Sequence, residues 1–102
     1  MPGCWLHLLR CAHGSFYTGT TRVDPDYRAS QHNQGIDPAA YTYARRPVEL
    51  VYGVHFERIV DAIAAERQVK GWSRAKKEAL IRGEFERLPW LAKRPAARAL
   101  SP

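Results

Sequence analysis

Long apolar stretches are missing from this chain. Its longest uncharged apolar run, Cys4 to Leu9, is far shorter than the roughly 20 residues a helix needs to cross a bilayer. The first residues also lack the basic, apolar and small-residue series of a secretory leader, so the chain reads as an unexported protein of the cytoplasm with no membrane partner. Cysteine is scarce as well: Cys4 and Cys11 are the two present. They flank one extended segment, where their Cα atoms would stand about 20 Å apart, beyond the roughly 7 Å a disulfide can bridge. They are expected to be reduced thiols of the core or its edge. Disorder is excluded by 45% hydrophobic content, and 102 residues suit one domain with a single modest core.

Acid is short in one half only. Residues 1–66 hold six Lys and Arg against seven acids, a net −1, whereas residues 67–102 hold ten against three, a net +7. A basic half on a small domain suits a polyanionic partner, above all nucleic acid, although a solvated surface would show the same imbalance.

Local pattern gives the elements. Trp5 to Cys11 is apolar on both faces, as in a central strand covered from either side, and Phe16 to Thr21 follows after a short glycine-containing turn. With the turn at His13-Gly14-Ser15, Ala12 would face Phe16 and His7 would face Thr21. His7 and Tyr17 would then share one face of the hairpin. Gly19 inside a strand suggests close approach of a ligand or another backbone. Asp24-Pro25 starts a helix that runs to about Asn33 and stops at Gly35, with Arg28 and His32 on one side of it. Val48 to Phe56 reads as a third strand. Glu57 to Lys70 reads as a helix with an apolar stripe of Phe56, Ile59, Val60 and Ile63, and Glu66 lies at the margin of that stripe. Ser73 caps a last helix over Arg74 to Arg82, stopped by Gly83, and Ala92 to Pro102 has the composition of a mobile tail. Strands with interspersed helices and an antiparallel first pair make a small α+β sandwich.

Taken singly, the polar residues carry ordinary readings. Tyr17 alone is a half-buried strand aromatic, Arg28 and His32 a solvated helix face, Glu66 a helix acid paired to Lys70 four residues on, and Trp72 a buried hinge residue. As an ordered set they carry a resemblance. Tyr17-Thr18-Gly19-Thr20-Thr21, Arg28 with His32-Asn33 and Gly35, Arg45-Arg46-Pro47-Val48 with Leu50-Val51-Tyr52, and Glu66 to Arg74 resemble the GIY-YIG nucleases, specifically the small stand-alone bacterial group. The resemblance spans Trp5 to Gly83. It departs at His7, where the family usually carries tyrosine.

The resemblance implies a three-stranded antiparallel sheet flanked by helices over residues 1–83, with 84–102 as a C-terminal extension. It also implies a metal-dependent endonuclease acting on DNA in repair, recombination or processing. Glu66 would be the protein ligand of one Mg²⁺ or Mn²⁺, and Arg28 would hold the scissile phosphate. Tyr17 would help activate the attacking water, with His32 taking or relaying the proton and His7 standing in as a base for the missing tyrosine. Thr20, Arg67, Lys70, Arg74, Lys76 and Lys77 would face the nucleic acid. With so little protein to read bases, cutting directed by structure or by single strands is expected over sequence-specific cutting. RNA as substrate, a non-cleaving binding module, and a nuclease active only with a protein partner stay open, as does the oligomeric state.

Overall fold

Two strands of this chain pair on either side of a third that is mostly apolar on both faces. In the computed structural model, which describes residues 3–84, β1 (Cys4–Arg10) is the centre of the sheet order β2-β1-β3, with β2 (Phe16–Thr21) and β3 (Glu49–Phe56) both antiparallel to it. Leu6, Leu8 and Leu9 are fully buried, as the two-sided apolar pattern of β1 requires. The helices are α1 (Pro25–Gln34), α2 (Ile59–Lys70) and α3 (Arg74–Ile81), with one 3-10 turn at Tyr43–Arg45.

The helix boundaries follow their capping chemistry. The Asp24 side chain accepts from the Asp26 amide at 2.8 Å, Pro25 opens α1, and Gly35 ends it with φ of 68°, where a side chain would be strained. The Ser73 hydroxyl caps α3 by accepting from the Lys76 amide.

The sheet separates two packing layers. Cys4, Leu6, Leu8, Val54 and Phe56 meet Ala62, Ala65 and Val69 of α2 and Leu80 of α3 on one face. Leu9, Cys11 and Val48 meet Ala29 of α1 on the other, with Tyr17 and Leu50 against them. Both cysteines are buried free thiols.

Two expectations change. The hairpin register is two residues off, since Arg10 faces Phe16 and His7 faces Gly19. The connection is a five-residue loop, closed by the Cys11 amide donating to the Ser15 carbonyl at 2.8 Å and the Gly14 amide to Cys11 at 2.9 Å. A shift of two preserves the faces, so His7 and Tyr17 still lie on the same side. The second change is in α2. Phe56 belongs to β3, and Val60 and Ile63 are exposed, while Ala62, Ala65 and Val69 form the buried stripe. Small side chains let the helix lie close on the sheet, and Glu66, four residues from Ala62, stands at the edge of that buried face.

The extension from residue 84 and the tail from Ala92 lie outside the described residues, apart from Glu84, which pairs with Arg82 at 2.9 Å.

Candidate active site

A cluster of rings gathers on the α1 side of the hairpin. The pleat puts Tyr17 and Gly19 on the face of Leu9 and His7, and α1 brings His32 and Arg28 over it. Tyr17 stands between two imidazoles, its ring centroid 6.2 Å from His7 and 5.5 Å from His32, the latter edge-on. Gly19 supplies the room. A Cβ there would sit 3.0 Å from His7 Cε1, 3.0 Å from Tyr17 Cε2 and 3.3 Å from the Tyr17 hydroxyl, so both ring tips crowd over a position only glycine leaves clear.

Electrostatics keep the imidazoles neutral. His7 is 1% exposed, and neither ring nitrogen has a hydrogen-bond partner among the described residues. Desolvation, reinforced by His32 and then Arg28, lowers its pKa from 6.5 to about 4. His32 is also held below its usual value, by desolvation first and by the Arg28 guanidinium second. Its Nδ1 lies 2.6 Å from the Thr42 hydroxyl, and its Nε2 is buried without a partner among the described residues. Arg28 Nη1 donates to Gln31 Oε1 at 3.1 Å. Arg28, Gln31, His32 and Thr42 line a recess of about 110 Å³ closed by Gly35 and Ile36.

Glu66 comes from the opposite layer. Its carboxylate accepts from Lys70 Nζ at 3.0 Å, the ordinary i,i+4 pair, with the Glu66 side chain 19% exposed. Lys70 in turn lines a second recess, of about 350 Å³, with Phe16, Tyr17, Thr18, Tyr41 and Lys77. The two faces of the sheet therefore communicate around the free edge of β2, through Lys70 and Tyr17.

As a metal ligand Glu66 offers a single hard carboxylate. Among the described residues no three His, Cys, Asp or Glu side chains converge. That donor set suits a mostly hydrated Mg²⁺ or Mn²⁺ held by one protein group, and it argues against a caged transition metal. Lys70 occupies Oε2 in competition with such an ion.

The basic residues expected on nucleic acid divide. Arg67 is exposed and Lys77 borders the larger recess. Lys76 lies 5.8 Å from the ring of Trp72, which is packed against the core as expected of a hinge residue. Arg74 is a strut: it donates to the Gly14 carbonyl at 2.7 Å, pairs with Glu78 at 3.0 Å and lies 4.6 Å from the centre of the Phe16 ring. Thr20 pairs with Leu6 on the α2 side and stays outside both recess linings. Asn33 is structural, its side-chain amide exchanging two hydrogen bonds with the backbone of Val48 at 2.7 and 2.9 Å.

Sequence reasoning missed Tyr41, Thr42 and Thr18 as members of the site. The signal for Tyr41 was the pair of tyrosines, Tyr41 and Tyr43, followed closely by Arg45 and Arg46. Arg45 covers its ring at 3.8 Å, and Tyr17 stacks with it at 5.9 Å and 21°. For Thr42, 1% exposed in a loop, the sequence carries no signal.

Relatives of known sequence and structure carry the same arrangement of elements. The family model of the GIY-YIG catalytic domain matches residues 3–79. A UPF0213 protein of Staphylococcus aureus is 38% identical over 82 residues, covering 80% of this chain and 98% of that protein. The solution structure of the UPF0213 protein BH0048 from Bacillus halodurans is 39% identical, covers 78% of this chain and 82% of that one, and superposes with a TM-score of 0.50. The protein EF2693 from E. faecalis is 33% identical, covers 83% and 88%, and superposes at 0.56. A family model over most of the chain, and relatives this similar along nearly their whole length, place this chain in the GIY-YIG family of nuclease-type catalytic domains, beside the small UPF0213 proteins.

Proposed function

We propose that the protein is a divalent-metal-dependent DNA endonuclease that cuts at single-stranded or branched positions in repair, recombination or processing. The observation that carries this reading is Tyr17 held over Gly19 between two neutral imidazoles, the buried His7 and the half-buried His32, whose Nε2 is turned inward. An apolar core has no use for unpartnered ring nitrogens, and each costs free energy to bury.

Hydrolysis needs an oriented water, a proton acceptor and stabilisation of the phosphoryl oxygens. Arg28 reaches its phosphate from α1, where its fork can exchange Gln31 for two phosphate oxygens. The Tyr17 hydroxyl orients the water. Phenol is a weak base near neutrality, so the proton passes to an imidazole. His32 suits that step by its place beside Tyr17 with a free Nε2, and its Nδ1 is fixed by Thr42. His7, neutral at pH 7, supports Tyr17 from the other side. A hydrated Mg²⁺ or Mn²⁺ on Glu66 would supply charge neutralisation at the phosphate and the leaving oxygen. Arg67, Lys76 and Lys77 would track the backbone of the strand, while Lys70 shares itself between Glu66 and the substrate.

One observation favours a second reading, a module that binds nucleic acid without cutting it: the Glu66 carboxylate is already neutralised by Lys70. Labelled single-stranded, duplex and branched DNAs, incubated with Mg²⁺, Mn²⁺ or chelator, separate the two. Metal-dependent cutting lost in Glu66→Ala and Tyr17→Phe supports the nuclease. Binding without cutting in any metal selects the module, and no binding at low salt removes both. His7→Tyr restores the usual family residue, and cutting that stays level or rises in it would deny His7 a dedicated role.

A further inference from the structure

The larger recess has a chemistry of its own. Its walls are aromatic, from Phe16, Tyr17 and Tyr41, and its rim carries the ammonium groups of Lys70 and Lys77. Thr18, 3% exposed, presents a hydroxyl with no hydrogen-bond partner among the described residues, on the lining of this same recess. A buried hydroxyl left unpaired costs free energy unless something completes it. Tyr41 stays 44% exposed although Arg45 lies 3.8 Å from its ring centre and its hydroxyl lies 3.4 Å from Ser15 Oγ. Those restraints, with Tyr17 stacked at 5.9 Å and 21°, fix the ring in place while the residue stays accessible from the recess.

We propose that this recess is a subsite for one unpaired nucleotide of a DNA strand, next to the phosphate that Arg28 holds. The base lies against Tyr41, the phosphate sits between Lys70 and Lys77, and a sugar or phosphate oxygen completes the Thr18 hydroxyl. A volume of about 350 Å³ falls at the low end of small-molecule sites, enough for one nucleotide and too little for a stacked base pair in its helix. Aromatic stacking accepts any base, so the subsite selects strandedness and not sequence. The proposal rests on the nuclease reading for the identity of the substrate, and it assigns the preference for unpaired DNA to Tyr41, Thr18 and Lys77.

The test uses the full chain with chelator present, so that nothing is cut, and titrates labelled single-stranded and duplex oligonucleotides of equal length by anisotropy. Tyr41→Ala is expected to weaken single-strand binding about tenfold and duplex binding by less than about twofold. Tyr41→Phe keeps the ring and is expected to retain single-strand affinity. Lys77→Gln is expected to lower the salt slope of single-strand binding by about 0.7. Equal losses on both substrates, or none on either, overturn the subsite. The same variants with metal keep the two readings apart. Cutting of single strands that is unchanged in Tyr41→Ala also overturns the subsite while the nuclease stands. Single-strand binding that depends on Tyr41, in a protein that cuts nothing, supports the subsite while the nuclease reading falls.

Discussion

The two faces of the sheet bury nearly the same kind of strand against different partners. Toward α2 and α3, Leu6 and Leu8 meet alanines, valines and Leu80, and the buried polar atoms of that side without a partner among the described residues include the Thr18 and Tyr52 hydroxyls. Toward α1, Leu9 shares its face with His7, and three imidazole nitrogens of His7 and His32 are buried without partners. An unpaired hydroxyl keeps its charge state, whereas an imidazole in a dry site must also give up its proton. One face is therefore built for stability, and the other gives up stability to hold neutral imidazoles beside a tyrosine.

The largest effect should come from the stabilising face. Leu8→Ala empties a fully buried site and is expected to cost about 3 kcal/mol, read as a drop in the denaturant midpoint at constant slope. Replacing His7 should do the reverse. His7→Leu removes both unpaired nitrogens and is expected to raise stability by about 1–2 kcal/mol while lowering cutting. A destabilised His7→Leu would break the distinction between the faces, because it would make His7 an ordinary core residue.

Acid sharpens the same comparison. The folded His7 pKa of about 4 lies below the unfolded 6.5, so the unfolded chain binds the extra proton between those values. The stability His7 allows is complete above pH 6.5, is lost as pH falls toward 4, and levels off below. At about 1.4 kcal/mol per pH unit the span amounts to about 3 kcal/mol. Urea midpoints measured across this window should slope steeply in the wild type and less steeply in His7→Leu, where His32 alone keeps a lowered pKa. An equal slope in both would place the titration elsewhere.

Most of the fold was legible because its signals are local. Asp24-Pro25, Gly35, Ser73 and the two-sided apolar run at β1 each act within a few residues of themselves. The hairpin register failed because loop length is set by how the backbone closes from Cys11 to Ser15, which residue type alone does not fix. The α2 stripe failed because alanine carries little hydrophobic signal yet packs most closely, so Val60 and Ile63 drew the assignment outward. Within the site, Tyr17, His7, Arg28 and His32 were readable from motif and face. Tyr41 and Thr42 were not, since a loop folding back over a strand is a tertiary event, and Thr18 sat inside the motif with nothing to mark its hydroxyl as unpaired.

Gly19→Ala tests how tightly the α1 face is drawn together. The new methyl would stand 3.0 Å from both His7 and Tyr17 ring carbons, so the rings must give way by a few tenths of an ångström. Stability should fall by about 1 kcal/mol, a smaller loss than at Leu8. Cutting should fall by an order of magnitude or more, since small displacements in a site are amplified in rate. Unchanged cutting would mean that the spacing of Tyr17 and His7 is not part of the chemistry.

The smallest effect on stability belongs to the ion pair of α2 that lies nearest the edge where the two faces meet. Lys70 is 61% exposed and its pair with Glu66 is worth about 0.3–0.5 kcal/mol, so Lys70→Gln should scarcely move the unfolding midpoint. It should nonetheless tighten Mn²⁺ binding, followed by the paramagnetic broadening of the ion's own signal, because the ammonium no longer competes for Oε2. Glu66→Gln should abolish that binding. If neither variant changes it, the carboxylate on the α2 side is no cation ligand, and whatever chemistry the protein performs belongs to the α1 face alone.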